Sequence, residues 1–381
     1  MAELRADESP DLAMPGDALH GWLRDLRAQG PVVEVPFAGS TAWLIARHDA
    51  LTDAFRNESL FPAGEHYRRV LEPSQGPTFQ GRDGPEHHRM RTLATPAFRP
   101  RALATFEDDL RPLAHELIDD FESARRADLV AQFTAIYPFL VITRMLGIPR
   151  DRERQFHRWA IEMLRFDTVA NKEFTEYLLP VVAARRRDPR DDVISGLVQS
   201  EIDGRRFDDE EVLAHVRLLF SAGATTTYDA TGSLLYALLT FPEVRERVRT
   251  EVGALDRAVE ELLRWETPVA VLPRLTISGG SCAGVEIPPH AQVLFAITGA
   301  NRDPAVFADP DRFDLDRDSR RKLTFGLGSH SCPGMHLARA EMRVVGQVLL
   351  ERLPGLALVD SAPARPRGFV LRGPAALPVT F

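Results

Sequence analysis

Apolar residues recur at spacings of three and four over much of residues 86–265, which predicts a series of amphipathic helices. Helices are expected over Asp17–Ala28, Arg101–Ser123, Leu129–Leu146, Arg152–Leu164, Lys172–Arg187 and Met335–Arg352. The longest pattern runs from Asp208 to Thr240, with acidic residues at its start and Pro242 just beyond its end, so we expect one long central helix. Its middle, Phe220–Asp229, is rich in small and hydroxylated residues with poor helix propensity, which indicates that another group lies against that face.

Short β-type patterns lie on either side of this helical part, at about residues 30–60 and 268–300. The predicted strands are Val32–Val35, Ala42–Ile45, Leu272–Ser278, Glu286–Ile287 and Gln292–Phe295, with further short strands near the C-terminus. Residues 1–16 are expected to form a loose arm, and residues 61–85 and 301–334 long loops. We therefore predict one unit over residues 1–381, mainly α with a small β portion.

Composition narrows the function classes. The chain has 381 residues, 44% hydrophobic and 27% charged, which is typical of a globular protein. The net charge of −8 argues against a general nucleic-acid binder. No apolar run reaches the ~18 residues of a membrane span, and the N-terminus lacks the apolar core of a signal peptide, so a cytoplasmic protein is expected. The two cysteines, Cys282 and Cys332, exclude a disulfide scaffold and a four-thiolate metal site.

The sharpest chemical signal is the segment Phe325–Ala338, which places Cys332 on a glycine-rich loop directly before a predicted helix. Glycine lets the backbone approach a flat ligand and adopt positive φ. Backbone N–H groups at a helix start stabilise a thiolate, and a thiolate is an axial ligand of haem iron. A free cysteine alone is more often a small buried hydrophobe, but its neighbours here favour the ligand role.

This segment resembles the haem-binding loop of the cytochrome P450 family, whose pattern is Phe-x-x-Gly-x-His-x-Cys-x-Gly-x-x-Leu-Ala, and every position is matched. The resemblance implies haem b with Cys332 as the thiolate ligand of its iron. It also implies a triangular, mainly helical fold with the haem between the long central helix and the helix after the cysteine loop. The porphyrin contacts expected by resemblance are Phe325, Gly326, His330, Gly334 and Ala338.

A second match is Glu261-Leu-Leu-Arg264. An isolated Glu–Arg pair at this spacing is usually a surface ion pair. In the P450 family, however, Glu-x-x-Arg forms a buried structural network completed by a residue of the loop before the cysteine. The resemblance assigns that third role to Arg312.

A third match lies in the central helix, where Ala222-Gly223-Ala-Thr225-Thr226 resembles the family pattern Ala-Gly-x-acid-Thr. The resemblance implies that Ala222 and Gly223 give room to haem and O2, and that Thr226 provides hydrogen bonding on the distal side of the haem. Thr225 replaces the usual acid, and a hydroxyl is a poor proton source at neutral pH. Protons could then come through water at Thr225 or from the substrate, or the reaction could need less proton delivery. Asp229 is expected on an adjacent face and is not favoured as a substitute.

The haem propionates require cationic or donor partners. His87 and Arg91 match the family's His-x-x-x-Arg segment, and both can lie on one helix face. By the same resemblance, Arg274 and His330 are the other two expected partners.

The substrate pocket is predicted by position within the family resemblance. Its expected wall residues are Phe79, Leu219, Phe220, Val269, Val271, Leu272, Phe369 and Val370. They are apolar, so we expect an apolar or aromatic substrate. The segment Trp159–Arg187 is short for the helices that roof the family's pocket, which implies either a more open pocket or one closed by residues 61–85.

Electrons are expected from a separate partner, because the chain carries no flavin or iron–sulfur module. The resemblance implies a ferredoxin or flavodoxin with its reductase. His336, Arg339, Arg343 and Arg89 could form a basic docking patch or a solvated charged face.

The leading hypothesis is an O2-activating haem-thiolate oxygenase that hydroxylates or dealkylates a small molecule, of the kind found in secondary metabolism. Because Thr225 replaces the acid, a peroxide-using or oxidative-coupling enzyme is the alternative. A non-catalytic haem sensor is a remote third.

Overall fold

The computed structural model describes residues 16–164, 168–359 and 365–381, and it is mainly α-helical. The helices are α1 Gly16–Gln29, α2 His48–Arg56, α3 Ala63–Val70, α4 Glu72–Gln75, α5 Gly84–Ala94, α6 Pro100–Asp119, α7 Tyr137–Leu146, α8 Glu153–Leu164, α9 Thr168–Arg187, α10 Val193–Gln199, α11 Asp209–Thr240, α12 Pro242–Thr250, α13 Ala254–Trp265, α14 Ile297–Asn301 and α15 Met335–Arg352. The strands are β1 Val32–Phe37, β2 Ser40–Ile45, β3 Arg126–Asp128, β4 Glu201–Ile202, β5 Arg205–Arg206, β6 Leu272–Leu275, β7 Gly280–Cys282, β8 Val285–Ile287, β9 Gln292–Phe295, β10 Ala357–Leu358 and β11 Pro378–Thr380. Apart from Gly16, the arm expected at the N-terminus lies outside the described residues.

The long central helix, α11, confirms the prediction from the sequence. It starts with a capping box in which the Asp208 side chain accepts from the Glu211 N–H at 2.8 Å and the Glu211 side chain accepts from the Asp208 N–H at 3.1 Å. It ends just before Pro242, the first residue of α12. Its 32 residues span ~48 Å at 1.5 Å per residue, enough to cross the molecule.

The largest apolar core surrounds α11, which packs against α7, α8, α9 and α15. α15 also packs against α6 and α13. The central helix and the helix after the cysteine loop thus adjoin one another, and these are the two helices between which the sequence analysis expects the haem. None of the helices among the described residues is long and apolar enough to span a lipid bilayer.

The main sheet has the strand order β1-β2-β9-β6. β1 and β2 form the predicted hairpin, β2 runs parallel to β9, and β6 runs antiparallel to β9. Alternate residues of the sheet enter two different apolar clusters: Phe295 lies in one and Leu294 in the other. The register pairs Arg274 with Val293, so the sheet holds this arginine in place.

Two expectations need correction. The 61–85 segment is not a plain loop, because it forms α3, α4 and a turn of 3₁₀-helix at Phe79–Gly81. The pattern over Leu129–Leu146 is not one helix: Val130–Thr134 forms a π-helical turn, and α7 begins only at Tyr137. Pro138 explains the break, because proline fits the first turn of a new helix and cannot continue an existing one.

Candidate active site

A cavity lies between α11 and the segment that leads into α15. About 1580 Å³ of space, part of it open to solvent, is free of protein atoms there. The predicted site residues that line it are Phe79, Arg91, Leu219, Ala222, Gly223, Thr226, Val269, Leu272, Arg274, Phe325, Gly326, His330, Cys332, Gly334 and Ala338.

The Cys332 thiol lies on one wall of the cavity, on the loop that leads into α15. Gly326 and Gly328 of this loop have φ of +66° and +77°, conformations that glycine adopts without strain. The Cys332 N–H donates to the Phe325 carbonyl at 2.8 Å, which closes the loop. Burial raises the pKa of the Cys332 thiol, while a backbone hydrogen bond at Gly334 and the charges of Arg91 and Arg339 act in the opposite direction. The protein thus provides groups that favour a thiolate in an otherwise apolar setting.

Arg91 and His330 lie at one edge of the same cavity, with His87 directly behind them. The His87 and His330 rings stack at 3.8 Å, and Arg91 donates to the Ser331 carbonyl at 2.5 Å. His330 Nε2 lies 3.4 Å from Asp83 Oδ1. Burial and the nearby cations lower the pKa of His87 to about 4. Both ring nitrogens of His87 are buried without a hydrogen-bond partner in the protein.

Arg274 reaches the cavity from strand β6. Its guanidinium lies over the rings of Tyr67 and Phe295, at 5.2 and 5.6 Å, and donates to the Pro273 carbonyl at 3.0 Å. The remaining donors of this fork are available to an anion in the cavity.

Helix α11 contributes Ala222, Gly223, Thr226 and Thr227 to the cavity wall. The Thr226 hydroxyl donates to the Ala222 carbonyl at 3.1 Å, one helical turn earlier. Thr225 faces away from the cavity: its side chain is buried and donates to the Ser221 carbonyl at 3.0 Å. Its expected place at the reaction centre is therefore corrected, because the 100° step from Thr226 turns it into the protein interior.

Asp229 also lies off the cavity wall. Its carboxyl packs towards Gly373 in the C-terminal segment, and burial raises its pKa to about 7. Its position agrees with the expectation that it does not replace the missing acid.

Four predicted wall residues lie elsewhere. Phe220 is fully buried under α8 and α9, stacked on Phe174 with ring centroids 4.6 Å apart. Val271, Phe369 and Val370 belong to the apolar cluster on the other side of the sheet, where Phe369 contacts Trp22 at 5.9 Å. Their neighbours in sequence, Val269 and Leu272, do line the cavity. The prediction that these four positions are apolar was correct, but the prediction that their side chains face the cavity was wrong.

The cavity is covered from the side of residues 61–85. Phe61, Ala63, Tyr67, Phe79 and Gln80 all line it. Among the residues described for α8 and α9, none lines it. This arrangement agrees with the second of the two expectations for the shortened roof.

The Glu261–Arg264 pair is buried, as expected, with distances of 2.9 and 2.6 Å between the guanidinium and the carboxylate. The third member differs from the prediction. Arg312 has an exposed side chain and contributes only its carbonyl, 3.2 Å from Arg264. The side chains that complete the network are Arg317 and Ser319, which donate to Glu261 at 3.0 and 2.8 Å.

Several residues of the cavity wall were not predicted, among them Gln80, Thr227 and Glu341. Gln80 directly follows the predicted Phe79, and Thr227 directly follows Thr226. Glu341 follows Ala338 by three residues, so helical spacing places it on the same face of α15. It is fully buried, and burial raises the pKa of its carboxyl well above the usual range.

The basic patch expected beyond the cysteine is largely paired with acids. Arg339 lies 2.5 Å from Glu260, and Arg343 lies 3.3 Å from Asp256 and 3.4 Å from Glu107. This face therefore carries less positive charge than its arginines suggest.

The residues present fit a haem. No group of three or more His, Cys, Asp or Glu side chains within the described residues could hold a metal ion. The single thiol of Cys332 would thus need a cofactor to supply the other ligands. Arg91, Arg274 and His330 line the cavity and could provide polar partners for two propionates.

Comparisons with known proteins agree with this arrangement. The Cytochrome P450 family model matches residues 153–354. Mycinamicin IV hydroxylase/epoxidase of Micromonospora griseorubida is 35% identical over 384 residues, with 96% of each chain covered. The polyketide biosynthesis cytochrome P450 PksS of Bacillus subtilis (strain 168) is 31% identical, with 89% of each chain covered. The structure of cytochrome P450 CYP109Q5 from Chondromyces apiculatus matches with a TM-score of 0.90 at 32% identity, with 98% of both chains covered.

These matches extend over nearly the whole chain and include the cysteine loop, the central helix and the sheet. The names of these relatives describe a hydroxylase/epoxidase and cytochromes P450, and the family carries a haem-thiolate cofactor. The chain therefore belongs to the cytochrome P450 family and is a monooxygenase.

Proposed function

We propose that this chain binds haem b through Cys332 and works in the cytoplasm as an O2-dependent hydroxylase of a largely apolar organic molecule. Electrons come from a separate ferredoxin or flavodoxin and its reductase. Each turnover consumes one O2, two electrons and two protons, and yields hydroxylated substrate and water. The observation that carries the proposal is that Cys332 lines the same cavity as Ala222, Gly223 and Thr226 of α11.

When bound, the haem supplies the activation of O2. The chain's own residues bind the haem and the substrate and orient them. Arg91, Arg274 and His330, which line the cavity, would hold the propionates, and His87, whose ring stacks on His330, would support that ring. The small side chain of Ala222 leaves room in the cavity beside α11. The Thr226 O–H donates to the Ala222 carbonyl. The hydroxyl oxygen of Thr226 can still accept a hydrogen bond from a donor in the cavity, such as water.

The substrate is proposed to be a ring or chain compound of polyketide or lipid type. The wall residues Phe61, Leu219, Val269, Leu272 and Phe295 form an apolar surface that binds such compounds by burial. The names of two relatives, which refer to mycinamicin IV and to polyketide biosynthesis, support this class.

A second candidate, a peroxide-using enzyme, is favoured by one observation. Thr225 stands where the family has an acid, and its hydroxyl is turned away from the cavity and bonded to Ser221. Peroxide already carries the two electrons and protons that O2 requires, so a site with weak proton delivery suits it.

The ligand assignment is tested by replacing each cysteine with serine. Cys332→Ser is expected to lose the haem-thiolate spectrum of the purified protein. Cys282→Ser is the matched control, because Cys282 is buried and does not line the cavity, and it is expected to keep the full spectrum. Normal haem-thiolate absorption in the Cys332→Ser protein would overturn the assignment.

The electron source is tested with a panel of macrolactones and medium-chain fatty acids. Product is measured either with ferredoxin, reductase, NADPH and O2, or with hydrogen peroxide alone. Faster turnover with the redox partner supports the O2-dependent hydroxylase. Faster turnover with peroxide replaces it by the second candidate.

A further inference from the structure

Gln80 is a polar residue in the cavity wall that the proposed function does not use. It lies in the 3₁₀ turn Phe79–Gly81 and lines the cavity beside Phe79. Its Oε1 is buried and has no hydrogen-bond partner in the protein. A buried amide oxygen without a hydrogen-bond donor is energetically unfavourable, and a ligand that donates to it removes this cost.

Most other polar side chains of the wall are already engaged. Thr226 and Thr227 donate to carbonyls of their own helix, at 3.1 Å each. Thr324 donates to the Leu263 carbonyl, and Glu58 accepts from Ser329. The cationic groups lie at the propionate edge described above. The Gln80 amide is thus a group of the wall whose hydrogen-bonding capacity is left for a ligand.

The backbone that carries Gln80 is held firmly to α11 by His215. The Phe79 N–H donates to His215 Nε2 at 3.2 Å, which leaves His215 Nδ1 to donate to the Glu211 carbonyl at 2.6 Å. The imidazole is fully buried between the rings of Phe79 and Phe207, with centroid distances of 5.8 and 4.5 Å. A neutral histidine with a fixed tautomer therefore sets the position of this turn.

A second connection lies a few residues earlier. Arg217 donates to the Gln75 carbonyl at 2.8 Å and to the Thr175 hydroxyl at 2.8 Å. Gly76 follows with φ of +83°, and a Cβ at this position would meet the Arg217 guanidinium at 2.7 Å. The wall segment is thus fastened at two points before it reaches Gln80, and a polar group on a rigid support binds with less loss of entropy.

We propose that Gln80 binds a hydrogen-bonding oxygen of the substrate, such as a ketone, lactone or hydroxyl group, and that His215 is the positioning residue that presents it. This inference rests on the proposed function and narrows the substrate class from apolar compounds to apolar compounds with one oxygen function at a fixed distance from the reacting carbon. The amide is suited to this because it can donate through Nε2 or accept through Oε1.

The test compares two ligands of nearly equal size, cyclododecanone and cyclododecane, by optical titration of the haem-containing protein. The wild type is expected to bind the ketone about fivefold tighter than the hydrocarbon after correction for their solubilities, the size expected for one neutral hydrogen bond. Gln80→Leu keeps the volume and is expected to remove that preference while leaving the affinity for cyclododecane unchanged.

Two variants separate positioning from packing. His215→Phe keeps the stacked ring but removes the acceptor for the Phe79 N–H, and it is expected to reduce the preference at least twofold. His215→Gln restores an acceptor and is expected to recover it. A purely structural role would change the unfolding temperature of both variants without this difference in ligand preference.

Several results would overturn the inference. One is an equal loss of affinity for both ligands in Gln80→Leu, which would mean that Gln80 acts by shape. Another is a loss of bound haem in Gln80→Leu while the preference for the ketone is unchanged, which would mean that the Gln80 amide binds a haem propionate. The inference would also be overturned if the wild type did not prefer the ketone. The same holds if Tyr67→Phe, and not Gln80→Leu, removed the preference. Absence of any haem band is different, because it would refute the proposed function itself.

Discussion

Glu261 is a buried carboxylate that collects five hydrogen bonds from four residues. Arg264 donates twice, and the Arg317 guanidinium, the Ser319 hydroxyl and the Asp314 N–H donate once each, at 2.6 to 3.1 Å. A charge removed from water is tolerated only when its lone pairs are filled in this way. The network ties α13 to the loop that leads to Cys332, so its integrity supports the site from behind.

Arg317→Ala should therefore destabilise the protein. The substitution removes one charged hydrogen bond to buried Glu261, and also those that the same guanidinium donates to the carbonyls of Ala308, Asp309 and Arg312. The expected loss is about 2 kcal/mol in the free energy of unfolding. Urea unfolding followed by circular dichroism measures it.

Arg312→Ala is the matched control for this prediction. Its side chain is exposed, and only its carbonyl contacts Arg264, so the loss should be under about 0.5 kcal/mol. Equal losses in the two variants would show that the network is not completed by the Arg317 side chain.

These two arginines illustrate what the sequence reveals at the scale of a residue. A motif fixes Glu261 and Arg264 by their spacing on one helix. The loop between residues 302 and 321 has no such period and carries several arginines, so which of them turns inward depends on a loop conformation that local patterns do not encode. The same limit applies to Val271 and Phe369, where apolarity was evident but the side of the sheet was not.

At the scale of elements, α11 and α7 approach one another closely at Gly223. A Cβ built there would lie 3.1 Å from Cδ1 and 3.3 Å from Cγ1 of Ile142, which is itself buried. The glycine is thus required by helix packing as well as by the cavity that its backbone lines. It is maintained at a cost in helix propensity of about 1 kcal/mol relative to alanine.

Gly223→Ala is consequently expected to destabilise the fold despite its gain in propensity. Overpacking a buried contact costs about 1–3 kcal/mol, so the net loss should be up to about 2 kcal/mol by thermal unfolding. In an Ile142→Val background, which removes Cδ1 but keeps the carbon at 3.3 Å, the same substitution should cost less. Identical effects in the two backgrounds would show that Ile142 does not limit this contact.

The elements themselves were predictable where periodicity is long. The 3.6-residue pattern and the acidic cap predicted α11 to within one residue. The pattern over residues 129–146 was equally apolar, but Pro138 and the capping of Val130 by Asp128 divide it. Hydrophobic spacing indicates which face is buried, and it does not indicate where one helix stops and another starts when both are buried.

At the scale of the whole molecule, the cavity is built from segments far apart in sequence. Residues near 61–91, 219–230, 268–297 and 324–341 meet there. The family resemblance predicted a contribution from each of these four segments, through Arg91, the Ala222–Thr226 motif, Arg274 and the Cys332 loop. The closing of the cavity by residues 61–85 followed only from the shortness of the segment Trp159–Arg187, and which side chains face inward required the structure.

The pH dependence of stability is a property of the whole molecule, because buried histidines and buried carboxyl groups change the free energy of unfolding in opposite directions as the pH rises. Burial lowers the pKa of His20 and His215 to about 4, so their neutral forms stabilise the folded state above pH 6.5. That contribution is lost as the pH falls from 6.5 towards 4. Glu341 acts in the other direction, since burial raises the pKa of its carboxyl well above 4.5.

Glu341→Gln should accordingly stabilise the protein at alkaline pH. Above pH 4.5 the unfolded glutamate loses its proton while the folded one retains it, so the wild type loses up to about 1.4 kcal/mol per pH unit until the folded group ionises. The neutral amide removes this penalty, and unfolding at pH 4.5, 6.5 and 8.5 should show a gain that grows with pH. Glu351→Gln, an exposed position on the same helix, should show no such trend. A Glu341→Gln protein that is less stable than the wild type at every pH would instead mean that the cavity contains a charged carboxylate with a cationic partner.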